Sequence, residues 1–232
     1  YNVNVKNSQG MTIENDNMST GAFSEFLDKL FSVMAAALKE GGAFYVWHGD
    51  NARVQFEQEL QKHGLPVRET LIWVKNHFNL GRQDYQHMHE PCLYGWKDGK
   101  KHYFIEEYNH STILEEKADL SKLTKEQAIN LLKQIYMIPT TVIREDKPLK
   151  NDMHPTMKPV RMIAKLIRNS SKPNEIVLDV CGGSGSTLIA CEQLGRRCFI
   201  NELDPKYCDV IIQRWEDFTK QKAELIETNA DN

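Results

Sequence analysis

The segment that most constrains this chain is Val177-Leu178-Asp179-Val180-Cys181-Gly182-Gly183-Ser184-Gly185-Ser186-Thr187. A short apolar run ends on an acid, passes through a glycine-rich turn and enters a helical pattern that continues to Leu194. A strand feeding a helix through so tight a turn belongs to an α/β layer structure, where ligands sit at the carboxyl ends of the strands. The glycines let backbone come close to a ligand, and the helix N-terminus offers N–H groups. Asp179 stands at that carboxyl end, and Glu202 ends the next strand, Arg197 to Asn201, where an acid can accept hydrogen bonds from two ribose hydroxyls.

The turn discriminates between nucleoside cofactors. A dinucleotide site reads GxGxxG and seats a pyrophosphate on the helix N-terminus. Here Gly183-Ser184-Gly185 runs into Ser186-Thr187 with no third glycine, and an acid at the strand end suits a cationic sulfonium with an ammonium group. The pattern therefore favours S-adenosylmethionine over NAD, with an NAD-dependent oxidoreductase as the alternative from another class.

The rest of the chain supplies matching layers. Phe23, Phe26, Leu27, Leu30, Phe31, Met34 and Leu38 recur at helical spacing and stop at Gly41-Gly42. Ala43–Trp47 reads as a strand, Asp50 as the cap of a helix to about His63, and Glu69–Val74 as another strand. This alternation predicts parallel strands. Residues 96–152 lack that rhythm. They carry a Lys97–Lys101 turn, a short Tyr103-Phe104-Ile105 strand and one helix begun by Thr124 and Gln127 in capping-box spacing. After Pro159 the rhythm returns with a helix from Val160 to Asn169, a buried strand over 176–179, and a last helix capped by Asp204-Pro205. Residues 3–20 are polar, as a mobile loop would be, and the tail from Lys220 is expected to fray.

Bulk properties exclude several classes. The 232 residues suit one domain, and a formal net charge of −3 argues neither for nor against nucleic acid. No apolar run approaches the roughly 18 residues of a membrane span. Five cysteines without a CxxC pair read as reduced cytosolic thiols.

Three segments together resemble the β class of amino-DNA methyltransferases: Tyr1-Asn2-Val3 with Asn15-Asp16, His154-Pro155-Thr156-Met157-Lys158-Pro159, and Asp179 to Thr187. Trp73-Val74-Lys75-Asn76 and His89-Glu90 fall where that family has the strands preceding its recognition region. The resemblance implies a Rossmann-like class I methyltransferase fold, with a mostly parallel sheet flanked by helices. It implies a circularly permuted motif order and a small recognition region inserted over 96–152. The activity implied is methylation of the exocyclic amine of adenine (N6), or alternatively cytosine (N4), in double-stranded DNA, with S-adenosylmethionine as cofactor and no metal. Restriction-modification or phage systems in a bacterial cytoplasm are the implied setting, and a homodimer or an upstream domain the implied partners.

Carried over by position, Tyr1 would stack on the flipped target base, necessary because a stacked base hides its amine. The family motif is Asp-Pro-Pro-Tyr, so the encoded residues before Tyr1 are expected to read Asp-Pro-Pro, or Ser-Pro-Pro for a cytosine enzyme. Asp179, Gly183, Gly185 and Glu202 would bind the cofactor, and His154, Thr156 and Lys158 would shape its methionine side. The family's Pro-Phe after the acid is replaced by Val180-Cys181, which thins the apolar wall; Cys181 reads as a small packing residue. Lys75, Asn76, Arg82, His87 and the Lys97–Lys101 cluster, Lys100 and Lys101 included, are candidates for DNA phosphates. His89 beside Glu90 resembles a metal or acid–base pair, but the family context makes it a positional element near the base pocket. Enzymes acting on RNA or on a protein glutamine amide share a Pro-Pro-Tyr motif with the opposite motif order.

Overall fold

The structure, a computed structural model, describes residues 18–75, 88–105, 124–125, 142–144 and 157–226. Helix α1 (Thr20–Ala37) opens it, with the Ser19 side chain accepting from the Ala22 N–H. Strand β1 (Ala43–Trp47), helix α2 (Arg53–Lys62) and strand β2 (Val67–Val74) follow. Strands β3 (His89–Trp96) and β4 (Val142–Arg144) come next. The C-terminal part runs α3 (Val160–Ser170), β5 (Ile176–Asp179), α4 (Ser186–Leu194), β6 (Arg197–Ile200) and α5 (Pro205–Thr219).

A four-stranded sheet has the order β1-β3-β2-β4, and β5 and β6 form a parallel pair. The β1 and β2 strands run in the same direction, as their connection through α2 predicts. Strand β3 lies between them, antiparallel to both. The expected parallel arrangement thus holds for β2/β4 and β5/β6 and fails at β3. Strand β3 carries Pro91, a residue that lacks the N–H a central strand needs. The proline is tolerated near the start of the strand, where β1 has just ended: Trp47 pairs with Cys92, and the Pro91 carbonyl accepts from the His48 N–H at 3.2 Å.

Alternation along the strands sorts the core into two faces. Phe44, Val46 and Leu93 pack with Leu27, Phe31, Leu60 and Leu65 beneath α1 and α2. Leu71, Trp73, Cys92 and Tyr94 face Met162 and Leu166 of α3. Ile167 carries that layer on to Ala190 and Cys191 of α4. The result is an α/β/α arrangement whose second layer, α3, joins the central sheet to the β5–β6 unit. Arg196 fastens this joint, donating to the Ser171 carbonyl at 2.7 Å.

Three local expectations change. Asp50 lies in a 3-10 turn (Asp50–Ala52) that precedes α2 without a side-chain cap, and its carboxylate stands 3.4 Å from His89 Nε2. Residues 103–105 form no strand; Phe104 packs on the α3-facing core, and the Ile105 N–H donates to the Asn169 carbonyl. Strand β5 is not buried on both faces, since Ile176 and Leu178 are 59% and 44% exposed, whereas Val177 faces the α3–α4 core. The helix expected from Thr124 lies outside the described residues beyond Lys125, as do residues 3–17. Of the tail, residues 220–226 carry no helix or strand.

Candidate active site

The glycine turn forms as the sequence predicts. Asp179 Oδ1 accepts from the Cys181 N–H at 3.1 Å, and the β5–β6 pairing continues through Asn201 N–H to the Asp179 carbonyl at 2.8 Å. Gly183 and Gly185 have φ of 54° and 75°, the left-handed region where a side chain costs roughly 1–2 kcal/mol. At Gly182 the constraint is space, because a Cβ there would stand 2.7 Å from Ile200 Cγ1. Gly185 precedes the first residue of α4 and supplies no side-chain cap, so the first turn of that helix opens toward the turn's ligand side.

Glu202 does more than the sequence suggested. Its Oε2 accepts from the Gly183 N–H at 2.6 Å, while Oε1 accepts from the N–H groups of Leu203 at 2.9 Å and Asp204 at 3.1 Å. One carboxylate therefore holds the middle of the glycine turn to the start of α5. A carboxylate has about four lone-pair sites, so capacity for a hydroxyl donor remains. Two acids at adjacent strand ends, Asp179 and Glu202, with a glycine backbone between them, fit a hydroxyl-rich, cationic nucleoside and repel a pyrophosphate. The Cys181 thiol is pushed up to about 11 by burial and by these two carboxylates, so it is no nucleophile near neutral pH.

The segment before α3 closes on this turn. Ser186 Oγ donates to the Lys158 carbonyl at 2.8 Å. Arg214 on α5 reaches the Ser184 carbonyl at 2.8 Å, Ser186 Oγ at 3.3 Å and Met157 Sδ at 3.7 Å. One guanidinium thus binds the glycine turn, the N-terminus of α4 and the Met157–Lys158 segment together. Arg214 had escaped the sequence reading, although its spacing from Val210 and Ile211 places it on the inward face of α5.

Lys158 also faces the central sheet. Its ammonium lies 3.2 Å from Glu90 Oε2 and 5.3 Å from the centre of the Trp47 ring. Lys75 reaches the other oxygen of the same carboxylate, Oε1, at 2.7 Å, with its ammonium 5.6 Å from the Trp73 ring. Burial alone would raise the Glu90 carboxyl, but the charge of Lys158 and the hydrogen bond and charge of Lys75 outweigh it, and the carboxyl is held below its ordinary 4.5. Lys75, expected among the DNA contacts, has a side chain only 5% exposed and is turned inward to Glu90, so no phosphate can reach it. His89 and Glu90 lie on opposite faces of β3 as neighbouring strand residues do, and form no pair with each other.

Lys100 and Lys101 are exposed but stand apart from this cluster. They follow β3, whose end pairs with the beginning of β1 (Ala43 with Trp96), and they line a cleft of about 560 Å³ with Lys39, Gly42 and Glu175. Glu175 immediately precedes β5, so the cleft lies at the amino ends of β1 and β5, opposite the glycine turn. Among the expected site residues, the structure brings together Lys158, Asp179, Gly183, Gly185 and Glu202. Tyr1, Asn76, Arg82, His87, His154 and Thr156 lie outside the described residues. Among the described residues one three-donor cluster, Asp28, Glu59 and His63, has metal-like spacing, but Lys62 occupies it, 2.7 Å from Asp28 and 3.2 Å from Glu59.

Strand ends, glycine turn and acidic partners define an α/β nucleoside-binding domain of the Rossmann-like kind. The DNA methylase family, comprising N6 and N4 amino-methylases, matches residues 1–214, and the chain belongs to it. It is 24% identical over 225 residues to the type II methyltransferase M2.DpnII of Streptococcus pneumoniae, covering 93% of this chain and 78% of that protein. It is 25% identical over 213 residues to the DNA adenine methyltransferase YhdJ of Escherichia coli K12, covering 86% and 70%. The crystal structure of an M1.HpyAVI–SAM complex superposes with a TM-score of 0.64 at 22% identity, covering 85% of each chain. No helix among the described residues is long and apolar enough to cross a membrane.

Proposed function

We propose that this DNA methylase transfers a methyl group from S-adenosylmethionine to N6 of adenine in double-stranded DNA, with the target base flipped out. The observation that carries the reading is the meeting of three sequence-distant parts at one end of the sheets: the glycine turn, Glu202, and the Met157–Lys158 segment locked to both by Ser186 and Arg214. S-adenosylmethionine supplies an electrophilic methyl group on a sulfonium. Glu202 accepts from the ribose hydroxyls, Asp179 faces the cationic amino-acid end, and the backbone at Gly183 and Gly185 allows close approach. His154, Thr156 and Lys158 bound the methionine side. Tyr1 stacks on the extruded base, leaving the amine aligned for in-line transfer, a task of positioning and electrostatics.

The similarity to a DNA adenine methyltransferase supports adenine over cytosine. The motif order, with Tyr1 first and the glycine turn last, is that of a permuted chain. Residues 1–232 then belong to one catalytic domain, with the start of the catalytic motif encoded before Tyr1 and target recognition within 96–152, acting in the cytoplasm and pairing with a second copy. Phosphate contacts fall to Asn76, Arg82 and His87, which follow Lys75 in the sequence. Expression in a methylation-free bacterial host, followed by sequencing that separates N6-methyladenine from N4-methylcytosine, tests the reading. N6-methyladenine at one short motif is expected. N4-methylcytosine would transfer the activity to the other base, and unmodified DNA from a folded protein that binds S-adenosylhomocysteine would overturn it.

A further inference from the structure

Two ammonium groups and one carboxylate meet at the carboxyl end of the central sheet, together with two indoles. Lys75 and Glu90 sit side by side because Lys75 continues the Leu71–Trp73 row of β2 and Glu90 the Cys92–Tyr94 row of β3, both on the α3-facing side. The Trp47 and Trp73 rings meet edge to face at 6.2 Å behind them. Lys158 arrives from the other part of the molecule, two residues ahead of α3, and its own carbonyl is bonded to Ser186 at the start of α4. Glu90 thus bridges the central sheet and the segment that abuts the glycine turn, and among the described residues the cluster keeps one positive charge in excess.

We propose that Glu90 is a positioning residue for the methyl-transfer reaction: it fixes the Lys158 ammonium at the edge of the cofactor cleft, with Lys75 as the buried counter-charge that holds Glu90 itself. The proposal rests on the assignment of Lys158 to the methionine side of the cofactor. Glu90 spends one oxygen on each lysine, so its hold on Lys158 does not depend on Lys75 alone. The excess positive charge suits an anionic oxygen on the ligand, which on the methionine side is the cofactor's carboxylate. Without Glu90 the two ammonium groups repel, and among the described residues Lys158 has no other carboxylate on the sheet to hold it in place.

A purely structural Glu90 would merely neutralise buried Lys75, and calorimetric titration of the full chain separates the two roles. S-adenosylhomocysteine carries the carboxylate; 5′-methylthioadenosine lacks the amino-acid end and serves as control. Glu90→Gln and Lys158→Met are each expected to weaken S-adenosylhomocysteine about tenfold while leaving 5′-methylthioadenosine unchanged. The double variant Glu90→Gln/Lys158→Met should bind no worse than Lys158→Met alone, because both changes remove the same interaction. Lys75→Met/Glu90→Gln, which removes the unpaired buried charge, should regain thermal stability but not affinity; it also supplies the answer if Glu90→Gln does not fold. Recovered affinity in that variant, additive losses with Lys158→Met, or equal losses for both ligands would overturn the proposal. Unchanged binding in Lys158→Met alone would instead remove the assignment of Lys158 on which it rests.

Discussion

Replacing Glu202 with alanine should damage the free protein and the cofactor complex by separable amounts. In the free protein the carboxylate accepts three backbone N–H groups, from Gly183, Leu203 and Asp204. Hydrogen bonds to a charged acceptor contribute about 1.5–3 kcal/mol each, and about 1 kcal/mol is a fair value for a half-exposed carboxylate. The three together give about 3 kcal/mol. At about 2–4 °C per kcal/mol for a chain of this size, the melting temperature should fall by about 6–12 °C. In the complex, three of about four lone-pair sites are already filled by backbone, so the ribose gains one free site and competes with Gly183 for another. One to two bonds lost corresponds to about a 10- to 100-fold weaker S-adenosylhomocysteine complex. Glu202→Gln should fall between, since its amide nitrogen must face at least one of the same N–H donors. Differential scanning fluorimetry and calorimetric titration read the two effects separately. A lowered melting temperature with unchanged affinity would make Glu202 a strut of the turn and not a ligand residue; no change in either would refute the hydrogen-bonding argument itself.

Three further outcomes are expected. The Cys181 thiol is raised from an ordinary 9.0 to about 11 by burial and by the Asp179 and Glu202 carboxylates, so it should label with iodoacetamide at pH 8 about a hundredfold more slowly than an unperturbed thiol; labelling at the free-cysteine rate would show that neither burial nor the carboxylates act on it. Arg214→Met leaves the Ser184 carbonyl without its guanidinium donor at 2.8 Å and should cost about 2–3 kcal/mol, with cofactor affinity falling as the turn and the Met157–Lys158 segment separate; wild-type affinity in a folded variant would contradict its clamping role. The Glu90 carboxyl is lower in the folded protein than in the unfolded chain, so its contribution is complete above the unfolded value of 4.5 and is lost as pH falls through the folded value. Denaturant titrations of wild type and Lys75→Met/Glu90→Gln should therefore differ most near neutrality and converge in acid, and a difference constant from pH 7 to pH 3 would count against the ion-pair account.

What the sequence revealed and what it hid follow from the range of the forces involved. The glycine turn, β1, β5, α4 and the Asp204 cap were legible because each is specified by its own residues: φ-permissive glycines, apolar runs of strand length, and a capping acid whose Oδ1 accepts from Lys206 N–H at 2.9 Å. The residues of β3 did not announce a strand, because Pro91 and Gly95 weaken the local signal; the family resemblance alone placed a strand at His89-Glu90, and two neighbours that close around it fix its place. Burial on one side only was equally invisible in Ile176-Val177-Leu178-Asp179, where composition cannot say which face a helix will cover. The sharpest failure, Lys75, is also the most informative. A lysine at a strand end beside an asparagine has the composition of a phosphate contact, and only the pairing of Trp73 with Glu90 brings a carboxylate within 2.7 Å of its ammonium. The same register draws Lys158 to the second oxygen of that carboxylate from a segment almost seventy residues further along the chain. A charge read singly belongs to solvent or to DNA. The same charge, read with its strand partner, becomes one half of a buried ion pair.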